Sequence, residues 1–396
     1  MKRFSRIYIL LLVLVALLIA CQNGARLAEP DSIEVADLPT PPTMTPLPTA
    51  ALTIVLPPTA TATPIPTNTL PPTSTAEPTN TPLPTETPTP THPLMIEVMR
   101  QQAYPGSELT IVETLESGSN FFRYIVSYES EGNTIFAVLN VPWGDPPPTG
   151  WPVIVFNHGF IRPDQYVITQ YYDVYMGVFA SNGYIVINSD YRGHGESEGE
   201  AIIAYRSPGY TADVLNALAA VKTYESADPN RIGMYGHSMG GFIALRSMVI
   251  SDEIKAGVLW GGVVVNYDDL LELWRPRQAN GANATAEFFV NLRQEWREEW
   301  NEQYGSVEEN PEFWRSVSSN SYLTDISGPI QLHHAIDDAI VPALFSEILQ
   351  AEAEEAGVAS ELFLYEVDNH NISNNFWTAM QRSVDFFDLH VKAAGN

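Results

Sequence analysis

Residues 231–250 read RIGMYGHSMGGFIALRSMVI, and this stretch decides the fold. It joins a short apolar run, RIGMY, to a helix-like segment through a glycine-rich turn. A strand, a sharp turn and a helix in this order would raise Ser238 at the top of the turn. Gly236, Gly240 and Gly241 give the turn room, because a Cβ there would collide with the packed strand and helix. The pattern Gly-x-Ser-x-Gly is short, so the rest of the chain must supply the remaining parts.

Short apolar runs alternate with helical stretches on both sides of this turn. Runs that are apolar throughout and separated by helices indicate parallel strands buried on both faces of a sheet. In chain order they are VIVFN, YIVINS, RIGMY, AGVLWGG, PIQLHH and ELFLYEV. Three earlier runs, between residues 108 and 142, predict an opening antiparallel set of strands. Ser238 then lies at the carboxyl end of a parallel strand, where such sheets bind ligands.

A serine nucleophile needs two partners, which must follow it in the chain. A histidine must accept the hydroxyl proton, and a carboxylate must orient that histidine. In this topology the chain order is serine, acid, histidine. His370 directly follows the run ELFLYEV, so we predict that it is the base. The acid belongs in the loop HHAIDDAIVP, where Asp337 and Asp338 stand side by side and the spacing alone leaves the choice open.

Together these segments resemble α/β-hydrolases, and among them the prolyl oligopeptidase-type peptidases and the dienelactone-hydrolase-like esterases. The resemblance covers residues 150–390 and rests on VIVFNHGF, DYRGHGESEG, DPNRIGMYGHSMGG, HHAIDDAIVP and YEVDNHNIS. It implies the α/β-hydrolase fold, with a mostly parallel eight-stranded sheet, helices on both faces and a helical lid insertion. The implied activity is cleavage of ester or peptide bonds through an acyl-enzyme, without a cofactor or a metal.

The resemblance also implies roles for individual residues. The family pattern His-Gly-x-x-Asp-x-x-Val-Pro favours Asp338 as the acid over Asp337, although Ala335 replaces the glycine here. The oxyanion hole would consist of the backbone N–H groups of Phe160 and Met239, so their side chains should matter less than the triad. Four further polar residues are interpreted as structural: His158, Arg192, His194 and His237.

The segment between AGVLWGG and PIQLHH has a different character, helical and rich in tryptophan. α/β-Hydrolases carry a lid at this place, so we predict a lid insertion at about 266–325. Its tryptophans either line an apolar substrate pocket or pack within the lid itself. They are Trp274, Trp296, Trp300 and Trp314.

The N-terminal residues predict export and anchoring. Residues 1–21 form a lipoprotein-type signal peptide: basic residues precede an apolar run that is too short to span a bilayer. The run ends in Leu-Ile-Ala-Cys, which resembles a lipobox and implies that Cys21 carries lipid on the outer side of a bacterial cytoplasmic membrane. Residues 22–94 are rich in proline and threonine and predict a disordered stalk. The catalytic domain is then 95–396.

Composition narrows the possible partners and rival functions. The chain has 20 basic and 47 acidic residues, and a net charge of −27 disfavours nucleic acid binding. A surface binding module on a degenerate hydrolase fold would have lost triad members, yet a candidate exists for each. A metal-dependent hydrolase using His333 and His334 is geometrically poor, because adjacent strand residues point to opposite faces. Peptidases of the resembled family usually carry a β-propeller that restricts substrate size. The chain before residue 150 is too short for one and lacks the repeats, which favours small esters or short peptides as substrates.

Overall fold

The computed structural model describes residues 91–274 and 296–393. The predicted signal peptide with Cys21, and the predicted stalk up to residue 90, lie outside these ranges, as does the middle of the predicted lid. Within the described ranges, every helix falls short of the length and apolarity required to cross a membrane.

A mixed β-sheet forms the centre of the described part of the chain. Its strands are β1 (Thr110–Thr114), β2 (Phe121–Ser130), β3 (Asn133–Pro142), β4 (Trp151–Asn157), β5 (Ile185–Ser189), β6 (Ala227–His237), β7 (Ile254–Trp260), β8 (Ile330–Ala335) and β9 (Ser360–Tyr365). In space they follow the order β1-β2-β3-β5-β4-β6-β7-β8-β9. The pairs β1–β2, β2–β3 and β3–β5 are antiparallel. Every neighbouring pair from β5 to β9 is parallel.

The predicted fold class is confirmed, but the predicted number of strands was wrong. The sheet contains nine strands among the described residues rather than eight. The nine strands correspond to the nine apolar runs, three opening and six later; the count of eight came from the family resemblance. The edge strand β1 pairs with the outer edge of β2. All five of its residues are exposed, so it extends the sheet without adding to the core.

Helices cover both faces of the sheet. They are α1 (Ile96–Arg100), α2 (Asp173–Ser181), α3 (Gly209–Val221), α4 (Met239–Ile250), α5 (Tyr267–Leu273), α6 (Pro311–Val317), α7 (Leu344–Glu355) and α8 (Phe376–Phe387). Residues 296–304 are helical as well, a 3₁₀ segment covers Ser319–Asp325, and a π-helical turn, Asp388–Lys392, continues α8.

The core consists of two clusters of buried side chains, one on each face. Val153 and Val155 of β4 belong to the cluster that includes α3, α4 and α7, whereas Ile154 and Phe156 belong to the one that includes α2 and α8. Alternate residues of a strand point to opposite faces, so the two clusters lie on opposite sides of the sheet. A strand buried on both sides explains why these runs are apolar throughout.

The packed region begins before the predicted domain start at Met95. Leu94 is fully buried, and the ring of His92 packs edge-on against Trp300, with 4.8 Å between the ring centroids. The buried guanidinium of Arg246, on α4, donates hydrogen bonds to the carbonyl oxygens of Leu94 and Val317. Residues 91–100, here called the N-terminal segment, are therefore joined to both α4 and the insertion.

Candidate active site

Ser238 occupies a sharp turn between β6 and α4. Its backbone has φ 56° and ψ −119°, a conformation that residues other than glycine rarely adopt. The Ser238 N–H donates to the carbonyl of Trp260 at 2.9 Å, and the Ser238 carbonyl accepts from Gly241 N–H at 3.0 Å. The side chain is half-buried at the carboxyl end of β6. This is the strand-turn-helix arrangement that residues 231–250 predict.

The glycines of this turn are held close to other backbone atoms. A Cβ on Gly236 would lie 2.2 Å from the carbonyl oxygen of Gly240, and one on Gly240 would lie 2.0 Å from that of Asn157. A Cβ on Gly241 would lie 2.9 Å from Gly262 Cα. Backbone atoms cannot move aside as a flexible side chain can. The turn therefore closes only with glycine at these positions.

Asp338 and His370 form a hydrogen-bonded pair beside the turn. His370 Nδ1 lies 2.7 Å from Asp338 Oδ2. The other carboxylate oxygen, Oδ1, accepts the backbone N–H groups of Ile340 at 2.8 Å and Val341 at 3.0 Å. His334 Nε2 lies 3.3 Å from Asp338 Oδ2. Four donors thus surround one buried carboxylate.

These contacts determine the charge of Asp338. Burial alone raises the pKa of this carboxyl, but the adjacent His370 and His334 outweigh burial and hold the pKa well below its usual range. Asp338 is therefore ionised at neutral pH, with His370 Nδ1 carrying the proton between them. The neighbouring Asp337 is exposed. The structure brings Asp338 into contact with His370.

His370 lies against the two strand ends that flank Ser238. Its ring centroid is 4.7 Å from that of His237, the residue before the serine. On the other side, a Cβ on Gly261 would lie 3.2 Å from His370 Nδ1. Ser238 Oγ and His370 Nε2 do not form a hydrogen bond among the described residues. In unliganded enzymes this contact is often long and shortens when substrate binds.

The two predicted oxyanion donors lie on segments that border the serine. A Cβ on Gly159 would lie 3.2 Å from Ser238 Cβ, so the chain leading to Phe160 passes directly beside the turn. Met239 is the first residue of α4, where helical N–H groups lack partners within the helix. The side chain of Phe160 packs against the core.

The polar residues predicted to be structural have many structural contacts. His158 is fully buried, and its ring stacks on Tyr191 at a centroid distance of 4.1 Å. Burial, together with the charge of His194, lowers the pKa of His158 to about 3, so this imidazole is neutral. His194 ring nitrogens lie 3.2 Å from the carbonyl oxygens of Arg192 and Ile161. The Arg192 guanidinium in turn donates to the buried carboxylate of Asp213, on α3, at 2.7 Å.

The four tryptophans of the insertion are all buried in aromatic packing. Trp300 contacts the rings of Trp296 and Trp314, with centroid distances of 5.2 and 5.8 Å. Trp274 Nε1 donates to the carbonyl of Ile340 at 2.8 Å, which ties the start of the insertion to the loop that carries Asp338. Trp296, Trp300 and Trp314 therefore contact one another within the insertion, whereas Trp274 contacts residues outside it.

Sequence reasoning missed a carboxylate that shapes the loop of His370. Asp368 accepts the backbone N–H groups of Asn369, Asn374 and Asn375, at 2.9, 3.1 and 3.0 Å. It also accepts the side-chain amide of Asn375 at 2.9 Å. An aspartate that accepts backbone N–H groups of the residues after it is a recognisable turn signal. The motif VDNHNIS contains that signal, so Asp368 was predictable.

His333 and His334 have separate partners. His333 Nδ1 lies 2.8 Å from the hydroxyl of Tyr365, whereas His334 Nδ1 lies 2.7 Å from that of Ser346. His334 Nε2 lies 3.0 Å from the carbonyl of Val341 and so carries the proton. Residues 91–274 and 296–393 contain no group of three or more His, Cys, Asp or Glu side chains arranged to hold a metal.

Comparison with known proteins gives matches at the level of family and fold. The model of the family "Serine aminopeptidase, S33" matches residues 152–325. An uncharacterized 31.7 kDa protein of the traX-finO intergenic region of Escherichia coli is 31% identical over 93 residues. That match covers 23% of this chain and 30% of the relative, so it spans less than a third of the relative's length.

Two solved structures illustrate the fold. The acylaminoacyl peptidase of Pyrococcus horikoshii is 20% identical with a TM-score of 0.55, over 70% of this chain and 43% of the peptidase. The acetyl xylan esterase of Paenibacillus sp. R4 is 19% identical with a TM-score of 0.55, over 74% of this chain and 92% of the esterase. The chain has the α/β-hydrolase fold.

Proposed function

We propose that this protein is a serine hydrolase with Ser238 as nucleophile, His370 as base and Asp338 as orienting acid. The observation that carries the proposal is the 2.7 Å contact between His370 Nδ1 and Asp338 Oδ2, beside the strained turn of Ser238. A proton held at Nδ1 leaves the Nε2 lone pair free for catalysis.

The reaction follows from these proton positions. His370 Nε2 takes the proton of Ser238 Oγ while Oγ attacks the substrate carbonyl carbon, and the ionised Asp338 stabilises the resulting imidazolium. The carbonyl oxygen gains negative charge and accepts hydrogen bonds from the backbone N–H groups of Phe160 and Met239. Collapse expels an alcohol or an amine, which takes the proton from the imidazolium. Water then repeats the sequence, releases the acid and restores the serine.

The substrate class we propose is a carboxylic ester of a small acyl group, with short peptides as the alternative. The support is the extent of the structural likeness. The chain covers 92% of the acetyl xylan esterase but only 43% of the acylaminoacyl peptidase. A panel of aryl and alkyl esters beside aminoacyl and dipeptidyl amides tests this. Faster turnover of the amides at equal leaving-group ability would contradict it.

We further propose that the enzyme is exported and anchored through lipid on Cys21, with residues 22–94 as a stalk. The support is the lipobox-like end of the N-terminal apolar run. Each buried CH₂ adds about 0.8 kcal/mol to membrane binding, so two or more acyl chains would hold the protein stably. Cys21→Ser is expected to move the protein from the membrane fraction to the soluble fraction or to prevent its maturation. A soluble wild-type protein would contradict the anchor.

The catalytic assignment is tested with Ser238→Ala. Removal of the nucleophile is expected to lower kcat for an activated ester by at least about 10³-fold, because losing a triad member typically costs several orders of magnitude. Circular dichroism and the thermal midpoint should match those of wild type, which separates lost chemistry from lost folding. Residual kcat within tenfold of wild type would contradict the role of Ser238.

A further inference from the structure

Two parts of the candidate site meet at the hydroxyl group of Tyr172, and a third is joined to it through His237. This buried residue immediately precedes α2 and has φ 62°, in the left-handed region that residues other than glycine adopt at a cost. Its hydroxyl accepts the backbone N–H of Gly159 at 3.1 Å. The same oxygen lies 2.8 Å from His237 Nδ1.

The protons in this network have one consistent arrangement. The carbonyl oxygen of His370 can only accept, so His237 Nε2, which lies 3.1 Å from it, carries the ring proton and donates. Nδ1 of the neutral imidazole is then an acceptor, and the Tyr172 hydroxyl donates its proton to it. The result is a directed chain of three hydrogen bonds, from Gly159 through Tyr172 and His237 to the backbone of His370.

The environment keeps both side chains in the required state. Burial, together with the nearby His370, lowers the pKa of His237 to about 3, so the imidazole is neutral and can accept at Nδ1. Burial raises the pKa of the Tyr172 hydroxyl, and the Gly159 N–H opposes this effect only in part, so the hydroxyl keeps its proton. All three bonds therefore persist throughout the neutral range.

The residues that Tyr172 links through these hydrogen bonds each adjoin or belong to a part of the proposed machinery. Gly159 precedes the oxyanion donor Phe160, and His237 precedes the nucleophile Ser238. The last acceptor is the backbone of the base itself. A hydroxyl that joins all three segments restricts their relative positions, and small displacements at such a site reduce rate steeply.

We propose that Tyr172, acting through His237, is a positioning residue that holds the oxyanion loop, the serine turn and the base in register. The proposal rests on the proposed hydrolase function. The hydroxyl contacts Gly159 and His237 and no reacting atom, so its effect falls on the transition state rather than on substrate binding.

Tyr172→Phe tests this role, because it removes one oxygen and keeps the ring against Phe156 and Tyr175. We expect kcat per folded molecule to fall about 10- to 100-fold, the size typical of lost supporting hydrogen bonds, with KM within about twofold. Affinity for an alkylboronic acid, which mimics the tetrahedral intermediate, should fall with kcat. A purely structural role would lower the thermal midpoint and leave kcat per folded molecule unchanged.

Variants of His237 provide the rescue test. Glutamine can accept from the Tyr172 hydroxyl with Oε1 and donate to the His370 carbonyl with its amide, whereas leucine can do neither. His237→Gln should therefore keep most of kcat, and His237→Leu should lose as much as Tyr172→Phe. The double variant Tyr172→Phe/His237→Leu should be little worse than either single one, since one chain is broken in all three.

Tyr184→Phe is the matched control. Tyr184 is also fully buried, but its hydroxyl bonds Asp388 at 2.7 Å, at the π-helical turn after α8. Its loss should leave kcat unchanged.

Two outcomes would overturn the inference, and both differ from failure of the proposed function. Wild-type kcat in Tyr172→Phe would show that the hydroxyl does not position the site. Nitrogen-15 spectra that place the His237 proton on Nδ1 would overturn the proton assignment whether or not the enzyme is active. Failure of the proposed function would appear instead as a wild-type protein that neither turns over esters nor reacts at Ser238.

Discussion

The turn around Ser238 and the insertion after β7 are both packed regions beside the candidate site, but different interactions hold them. The turn is held by close contacts between backbone segments: a Cβ on Gly240 would lie 2.0 Å from the carbonyl oxygen of Asn157. The insertion is held by contacts between aromatic rings, such as the stacked rings of Tyr304 and Phe313, whose centroids are 4.1 Å apart.

The difference has an energetic consequence. Aromatic packing loses stability in proportion to the contact removed, whereas a backbone contact at this distance admits no added atom. We therefore expect changes in the turn and acid loop to affect catalysis, with or without a loss of stability, and changes in the insertion and N-terminal segment to affect stability alone. Five measurements test this contrast, in order of decreasing effect.

The largest effect is expected from Asp338→Asn. Asparagine lacks the charge that stabilises the imidazolium, and its amide favours the wrong tautomer of His370. We therefore expect kcat to fall by about 10³- to 10⁴-fold. Asp337→Asn is the matched control and should change kcat by less than about threefold, since that side chain is exposed. The opposite ranking in steady-state ester hydrolysis would transfer the role to Asp337.

Gly240→Ala is expected to come next. Its Cβ would displace the backbone at Asn157, so the free energy of unfolding should fall by at least about 3 kcal/mol, with loss of activity. Gly357→Ala serves as the control, because its φ of 75° brings strain but its Cβ would meet nothing within 4 Å. Urea unfolding measures both. Equal losses would show that backbone contact does not distinguish the turn.

Leu94→Ala probes the other region. The side chain is fully buried, so its loss should reduce the free energy of unfolding by about 3 kcal/mol, while kcat per folded molecule stays close to wild type. Leu389→Ala, at a side chain that is 65% exposed, should cost less than about 0.5 kcal/mol.

A shortened chain tests the same point. A protein that begins at Thr91 should be as stable as the full chain, and one that begins at Met95 should not, because it lacks His92 and Leu94. A large loss of kcat in folded Leu94→Ala protein would contradict the separation of the two regions.

The smallest effect is a dependence of stability on pH. The folded-state pKa of His158, about 3, lies below the usual value near 6.5, so the folded protein binds fewer protons than the unfolded chain between these values. The stability from this group is present above pH 6.5 and is lost as pH falls, by about 2 kcal/mol between pH 7 and 5.

A variant is needed to isolate the contribution of His158, because other groups stabilise the folded protein as the pH falls. Burial raises the pKa of Asp190, so acid stabilises the folded protein through that carboxyl. The difference in unfolding free energy between pH 7 and 5 should therefore be compared in wild type and His158→Asn. The wild type should lose about 2 kcal/mol more than the variant on acidification. An identical change in both would show that His158 is not held neutral by burial.

Local rules predicted the turn, the base loop and most elements, because their causes lie within a few residues. The six apolar runs predicted to be parallel strands, for example, are present as β4 to β9. Spacing did not decide between Asp337 and Asp338. The structure distinguishes them through the backbone N–H groups of Ile340 and Val341, whose directions depend on how the loop folds.

The remaining features depend on contacts between distant parts of the chain. Tyr172 reaches His237 across 65 residues, and Arg246 reaches Leu94 across 152, so no local pattern indicates either pair. The number of strands was wrong for a different reason. The count of eight came from the family resemblance, whereas the apolar runs of this sequence include the edge strand β1.

The central claim is that Ser238 is an activated nucleophile, and covalent labelling tests it most directly. The full-length protein is treated with a fluorophosphonate, and the modified residue is located by mass spectrometry of its peptides. The account predicts one adduct per molecule, on Ser238, with labelling strongly reduced in His370→Ala and in Asp338→Asn. An unlabelled Ser238, or equal labelling rates in wild type and His370→Ala, would contradict it.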